Sequence, residues 1–175
     1  MQDVNRNHIK IQKAKKDDAI AIIEYVRTVA DETDFLTFDS SEFNKTVEEE
    51  QQIIEEHNST KNKLFIIAKL DNKIIGVLNV QANKKKRLEH VGEFGVSVLK
   101  EHWNKGVGSS LVKYMIEWAK ESGVIRKLNL RVLVNNESAI RIYIKNGFKI
   151  EGMIRRDIKL NNTFQDCYQM GLLID

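Results

Sequence analysis

The 175-residue chain reads as a single α/β domain built on a mixed sheet, and three observations lead there. Runs that alternate apolar and polar residues recur along the chain, as half-buried strands require. Between them lie longer stretches with apolar residues three and four apart, the period of a helix with one face against a core. The third observation is a short polar loop that follows an apolar run and ends in Gly106-Val107-Gly108, where a helix opens. Composition agrees, since 42% apolar and 30% charged residues suit a globular domain and 175 residues can bury a proper core.

After an N-terminal tail, residues 1–7, the domain is expected over 8–175. It opens on a short strand near Ile9 to Lys13, followed by a helix from Asp17 or Asp18 whose Ile22, Ile23, Val26 and Ala30 share a face. A polar loop leads to Thr46-x-x-Glu49, a capping box that starts a second helix running to about His57. The runs LFIIAKL and KIIGVLNVQ, parted by Asp71-Asn72, form a hairpin, and the basic tip NKKKR leads into a strand ending near Leu99. The helix over 108–122 turns Leu111, Val112, Met115, Ile116 and Ala119 inward and stops at Gly123. A strand from Lys127 to Val134 and a helix stopping at Gly147 come next. Two closing strands, about 148–159 and 163–174, turn at Asn161-Asn162.

Several function classes are excluded. Cys167 is the only cysteine, so an internal disulfide cannot form, and its alternating segment suggests a structural or surface thiol rather than a nucleophile. Histidines 8, 57, 90 and 102 form no close ligand pair, and no metal is expected. No apolar run is long enough for a bilayer, and MQDVNRNHIKIQ lacks the apolar core of a signal peptide, so a cytoplasmic protein without a membrane partner is expected. Lys84, Lys85, Lys86 and Arg87 form one basic tip without interleaved aromatics, which reads as solvation rather than nucleic-acid binding.

Gly106 and Gly108 allow a close backbone approach, and the free amides of a helix's first turn favour an anion. The same turn also suits a plain loop-to-helix junction. There is no Gly-Lys-Ser/Thr ending for a nucleoside triphosphate, and a third glycine and a ribose-binding acid for a dinucleotide are both missing.

The segments beyond the loop are more informative. LNLRVLV, then Asn136-x-x-Ala139-x-x-x-Tyr143, then Lys145-Asn146-Gly147-Phe148 resembles, together with the glycine loop, the GNAT superfamily of N-acetyltransferases. The resemblance spans most of the chain and implies a mostly antiparallel central sheet flanked by helices on both faces. It also implies acetyl-coenzyme A as cosubstrate. Carried over by position, Val96, Ser97 and Val98 would pair with the pantetheine arm, and Asn104, Lys105, Gly106, Val107, Gly108 and Ser109 would hold the pyrophosphate. Asn136 would contact the cofactor, and Tyr143 would face the thioester sulfur. One departure is visible: Trp103 stands where the family usually has Gln or Arg.

Acetyl transfer needs a neutral amine, a polarised carbonyl and a proton for the departing thiolate. Tyr143 is the candidate general acid, because a phenol can donate to sulfur at neutral pH. Glu93 is the candidate base through a water, sharing a strand face with Val91, Gly95 and Ser97, with His90 as the substitute. The stretch from Asp31 to Glu56 holds ten Asp or Glu and a single Lys45. The resemblance places it across from the cofactor, so Asp31, Glu32 and Asp34 are candidate contacts for a cationic acceptor, either a small amine or a peptide N-terminus. A non-catalytic coenzyme A binding protein of the same fold is the alternative. The oligomeric state stays open at this point; dimers are common in the family the chain resembles, and Phe148 to Leu173 offers a sheet edge that could pair in a homodimer.

Overall fold

The computed structural model describes residues 8–175, and the expected tail, residues 1–7, lies outside the described residues. Among the described residues seven strands form one sheet: β1 (Lys10–Lys13), β2 (Leu64–Leu70), β3 (Lys73–Ala82), β4 (Val91–Val98), β5 (Lys127–Leu133), β6 (Lys149–Leu160) and β7 (Thr163–Leu173). Their order is β1-β2-β3-β4-β5-β7-β6. Every neighbouring pair is antiparallel except β4 with β5. Two hairpins turn where the sequence places them. Asp71 and Asn72 have φ of 48° and 66°, and Asn161 and Asn162 have 47° and 62°, the left-handed pair that a two-residue hairpin needs.

Four α-helices among the described residues cover the sheet: α1 (Ala19–Glu32), α2 (Val47–Ser59), α3 (Val107–Glu121) and α4 (Glu137–Lys145). Because neighbouring strand residues point to opposite faces, side-chain partners reveal which helix lies where. Tyr25 of α1 meets Ser97, and His57 of α2 meets Gln81. Gly76 and Val98 turn the other way, toward Val107, Leu111 and Gly108 of α3, and Phe94 packs on Tyr143 of α4. The sheet is therefore flanked on both faces, with α1 and α2 on one side and α3 and α4 on the other.

The apolar periodicity is used as the spacing predicts. Ile22, Ile23 and Ala30 are buried and Val26 is partly buried, while Leu111, Val112, Met115, Ile116 and Ala119 all enter the core. Thr46 and Glu49 form the expected capping box, with the Glu49 amide donating to Thr46 Oγ1 and the Thr46 amide to Glu49 Oε2. Two features depart from simple alternation. A short 3-10 turn over Lys16–Asp18 precedes α1, and β6 shifts register between Ile154 and Ile158, where Arg156 takes φ 54°. β6 is one of the two edge strands and carries exposed Ile150 and Met153, within the segment that offers an edge contact.

Candidate active site

The site begins where two strands part. β4 and β5 pair at only three positions, Val91 with Lys127, Gly92 with Leu128 and Glu93 with Asn129. β3 stays paired with β4 as far as Val98, and β7 accompanies β5 to Leu133. Beyond Phe94, whose amide makes the last bond to β5, β4 is therefore bonded on its β3 side alone. The alternation of the ladder decides which of its groups are left over. Leu99 donates its amide to the Ile75 carbonyl, so the odd-numbered residues of β4 turn their main chain toward β3 and the even-numbered ones turn away from it. Val96 and Val98 thus turn their main-chain groups to the gap, together with the Phe94 carbonyl, while the Phe94 amide closes the ladder on the Asn129 carbonyl. Ser97 does not, and its hydroxyl lies 3.0 Å from that of Tyr25. Of the three residues expected to pair with an extended ligand, Val96 and Val98 face the opening and Ser97 braces the sheet against α1.

The loop beyond β4 closes one end of this gap. A 3-10 turn over Lys100–His102 leads to Asn104 and Gly106, which take φ of 58° and 85° and reverse the chain into α3. Gly106 is the N-cap of α3, and among the described residues no side chain caps the helix's first turn. In α2 and α4 the cap side chains of Thr46 and Asn136 do this work. The first bond within α3 is from the Ser110 amide to the Gly106 carbonyl, so the amides of Val107, Gly108 and Ser109 have no helical acceptor. A Cβ on Gly108 would lie 3.6 Å from Ile142 and 3.8 Å from Val98, which places this first turn against the end of β4. Free β4 groups and an uncapped helix start are donors suited to an extended chain carrying phosphates.

The candidate proton-transfer groups flank β4. Tyr143 is buried and packs edge-on against Phe94 and Phe148, with ring centroids 5.8 and 5.9 Å away. Burial raises its phenol well above the ordinary tyrosine value, so it holds its proton throughout the neutral range. Glu93 projects from the opposite face of β4 and is exposed, with Oε1 3.9 Å from Nε of Arg131. Arg131 also reaches Asp157 at 3.3 Å. Glu93 is thus at the vertex of the gap, opposite Asn129, where the two strands separate. Asn136 accepts the Ala139 amide through Oδ1 at 3.3 Å, which spends that oxygen on capping α4.

A hollow of about 450 Å³ opens beside the end of the gap. Its lining includes Glu32, Asp34, Phe35, Trp103, Asn135, Asn161, Thr163 and Gln165. The structure brings two of the three expected acids to it, and Asp31 is not part of this lining. Glu32 Oε2 also accepts the Lys100 amide at 2.8 Å, tying α1 to the loop. Sequence reasoning missed the contributions of Trp103 and the β6–β7 turn. The Asn161-Asn162 signal marks a turn, but its place here depends on the strand order. Cys167 is buried, and its thiol is pushed up to about 11 by burial and by the neighbouring Asp157 carboxylate, which makes it an unreactive packing residue.

Residues 29–148 match the Acetyltransferase (GNAT) family, and the chain belongs to that family. Among its relatives is an L-amino acid N-acetyltransferase of Escherichia coli (strain K12), 33% identical over 61% of this chain. The match spans 65% of that relative's length. A GNAT-family acetyltransferase from Streptococcus pneumoniae superimposes with a TM-score of 0.92 at 36% identity, covering 95% of this chain and 99% of that one. The fold is shared too with an acetyltransferase from Salmonella typhimurium solved with its cofactor acetyl-coenzyme A, with a TM-score of 0.84 at 18% identity, covering 97% of this chain and 95% of that one. Among the described residues, no helix is long and apolar enough to cross a membrane.

Proposed function

We propose that this protein is an acetyl-coenzyme A dependent N-acetyltransferase that acts on a primary amine, of a small molecule or a protein N-terminus, by direct attack in a ternary complex. The observation that carries this reading is the parting of β4 from β5 after Glu93, beside the uncapped start of α3. Main-chain groups of Val96 and Val98 would pair with the pantetheine arm. The amides of Val107, Gly108 and Ser109, reached through Asn104, Lys105 and Gly106, would hold the pyrophosphate. Asn136 would contribute its side-chain amide from the cap of α4. When bound, acetyl-coenzyme A supplies an activated acetyl group on a thiol that can leave.

The chain's own residues then divide the work. Glu93, through a water, removes a proton from the incoming ammonium so that the nitrogen can attack the carbonyl carbon. The Val96 amide, turned into the gap, donates to the carbonyl oxygen as negative charge develops there. Tyr143 gives its proton to sulfur as the C–S bond breaks, and the proton left on the acetylated nitrogen returns to the phenolate and restores the phenol. Glu32 and Asp34 draw a cationic acceptor to the hollow at the end of the gap. Asp31, on the same helix end, adds to that negative field from outside the lining.

A thiol-release assay with acetyl-coenzyme A and a panel of primary amines tests this reading. The expected result is acceptor-dependent release of coenzyme A. A thermal shift with acetyl-coenzyme A but no release with any amine would instead identify a non-catalytic binding protein. Asp34→Asn should raise KM for the best cationic acceptor and leave the shift intact, and an unmoved KM would remove Asp34 from acceptor binding.

A further inference from the structure

Trp103 occupies a position that bears on both parts of the site. Its indole Nε1–H donates to the Val98 carbonyl oxygen at 2.7 Å, one of the groups that the ladder leaves facing the gap. The same ring lines the neighbouring hollow together with Glu32, Asp34 and Phe35. That lining holds two carboxylates and two aromatic rings and, among the described residues, no Lys, Arg or His. The hydrogen bond spends the polar edge of the indole on β4 and fixes the ring, leaving its π surface as a rigid wall.

An aromatic wall beside carboxylates, with no cationic group, suits an organic ammonium. The ring quadrupole attracts the cation, and the acids add a longer-range field. An acceptor bearing a free carboxylate finds no cationic partner in this lining and is repelled by Glu32 and Asp34. We propose that Trp103 is an acceptor-selecting residue, its indole anchored on Val98 so as to hold the ammonium of a cationic amine without a free carboxylate. This rests on the N-acetyltransferase reading, because it takes the hollow as the acceptor's entrance.

Calorimetric titration of coenzyme A loaded protein with spermidine, with tetramethylammonium and with glycine tests it without depending on turnover. Wild type should bind the two cations and not the zwitterion. Trp103→Leu should weaken tetramethylammonium binding by about three- to thirty-fold, the range for a cation over an aromatic ring. Trp103→Phe, which keeps a ring and loses the N–H, should retain more of the affinity than Trp103→Leu. Both variants should keep the thermal shift with acetyl-coenzyme A. Three results overturn the proposal: no binding of either cation by wild type, equal binding by wild type and Trp103→Leu, or tighter binding of glycine than of spermidine. Loss of the acetyl-coenzyme A shift in the variants with cation binding unchanged also overturns it, assigning Trp103 to the cofactor. If wild type itself shows no acetyl-coenzyme A shift, the N-acetyltransferase reading fails, whatever the cations do.

Discussion

The Tyr143 phenol combines tight packing with a retained proton. Its ring is wedged between Phe94 and Phe148, and burial opposes ionisation of its hydroxyl. Phenylalanine preserves the packing and removes the proton. Tyr143→Phe is expected to lower kcat by roughly 10²-fold or more while leaving the thermal shift with acetyl-coenzyme A near wild type. A wild-type kcat, with chemistry shown to limit turnover, would return Tyr143 to a packing role. The two loop glycines differ from each other in the same concrete way. Gly106 needs its φ of 85°, although nothing lies within 4 Å of an added Cβ, whereas Gly108 sits in helical backbone with ordinary contacts around it. Gly106→Val should cost about 1–2 kcal/mol from the left-handed conformation alone, seen as a lower melting temperature. Gly108→Ala should fold with near wild-type stability. Equal destabilisation by the two would contradict this distinction.

Within β4, the alternation of hydrogen bonds makes neighbouring residues unequal. The Ser97 amide is committed to β3, whereas those of Val96 and Val98 face the gap. In hydrogen exchange, acetyl-coenzyme A should slow the amides of Val96 and Val98 and leave that of Ser97, already protected, little changed. Equal slowing of all three would mean that binding tightens the whole sheet rather than pairing with its free edge. In α2, Glu50 is a buried carboxylate whose Oε2 lies 3.7 Å from Lys45 Nζ and accepts no hydrogen bond among the described residues. Burial raises its pKa, with Lys45 only partly opposing the shift. The folded state therefore binds this proton more tightly than the unfolded chain, and the stability it contributes is present below the unfolded value of 4.5 and lost as pH rises through the folded one. Glu50→Gln should accordingly raise the urea midpoint at pH 7.5, with the gain shrinking toward pH 4.5. A variant less stable than wild type at pH 7.5 would show that the carboxylate has a favourable partner.

For the whole molecule, ligand binding and folding are linked. At a free acetyl-coenzyme A concentration 100 times its Kd, binding to the folded state alone adds about 2.7 kcal/mol. For a chain of this length that corresponds to a rise in melting temperature of about 5–10 °C. Scanning calorimetry across a concentration series checks this, and a melting temperature independent of concentration would exclude a site specific to the folded state. The parted strands make this linkage structural: apart from the Val98 carbonyl, which already accepts from Trp103, the free main-chain groups of β4 acquire protein-like partners only when something fills the gap. Such groups are costly to leave without partners if water is excluded, so an extended ligand with amides of its own is a natural occupant.

Much of this organisation can be read locally. Helical spacing identifies the buried faces of α1 and α3, Thr46 and Glu49 mark the start of α2, and paired Asp-Asn and Asn-Asn residues mark the two tight turns, because each signal depends on residues a few positions apart. The glycine loop and the Asn136 to Tyr143 spacing indicate the family for the same reason. Tertiary structure alone decides that β4 and β5 separate after Glu93, that Val96 and Val98 rather than Ser97 face the opening, and that the Asn161-Asn162 turn joins Glu32, Asp34 and Trp103 around one hollow. These depend on strand order and register between segments up to about a hundred residues or more apart, and no local spacing encodes which edge of a strand will be left without a partner.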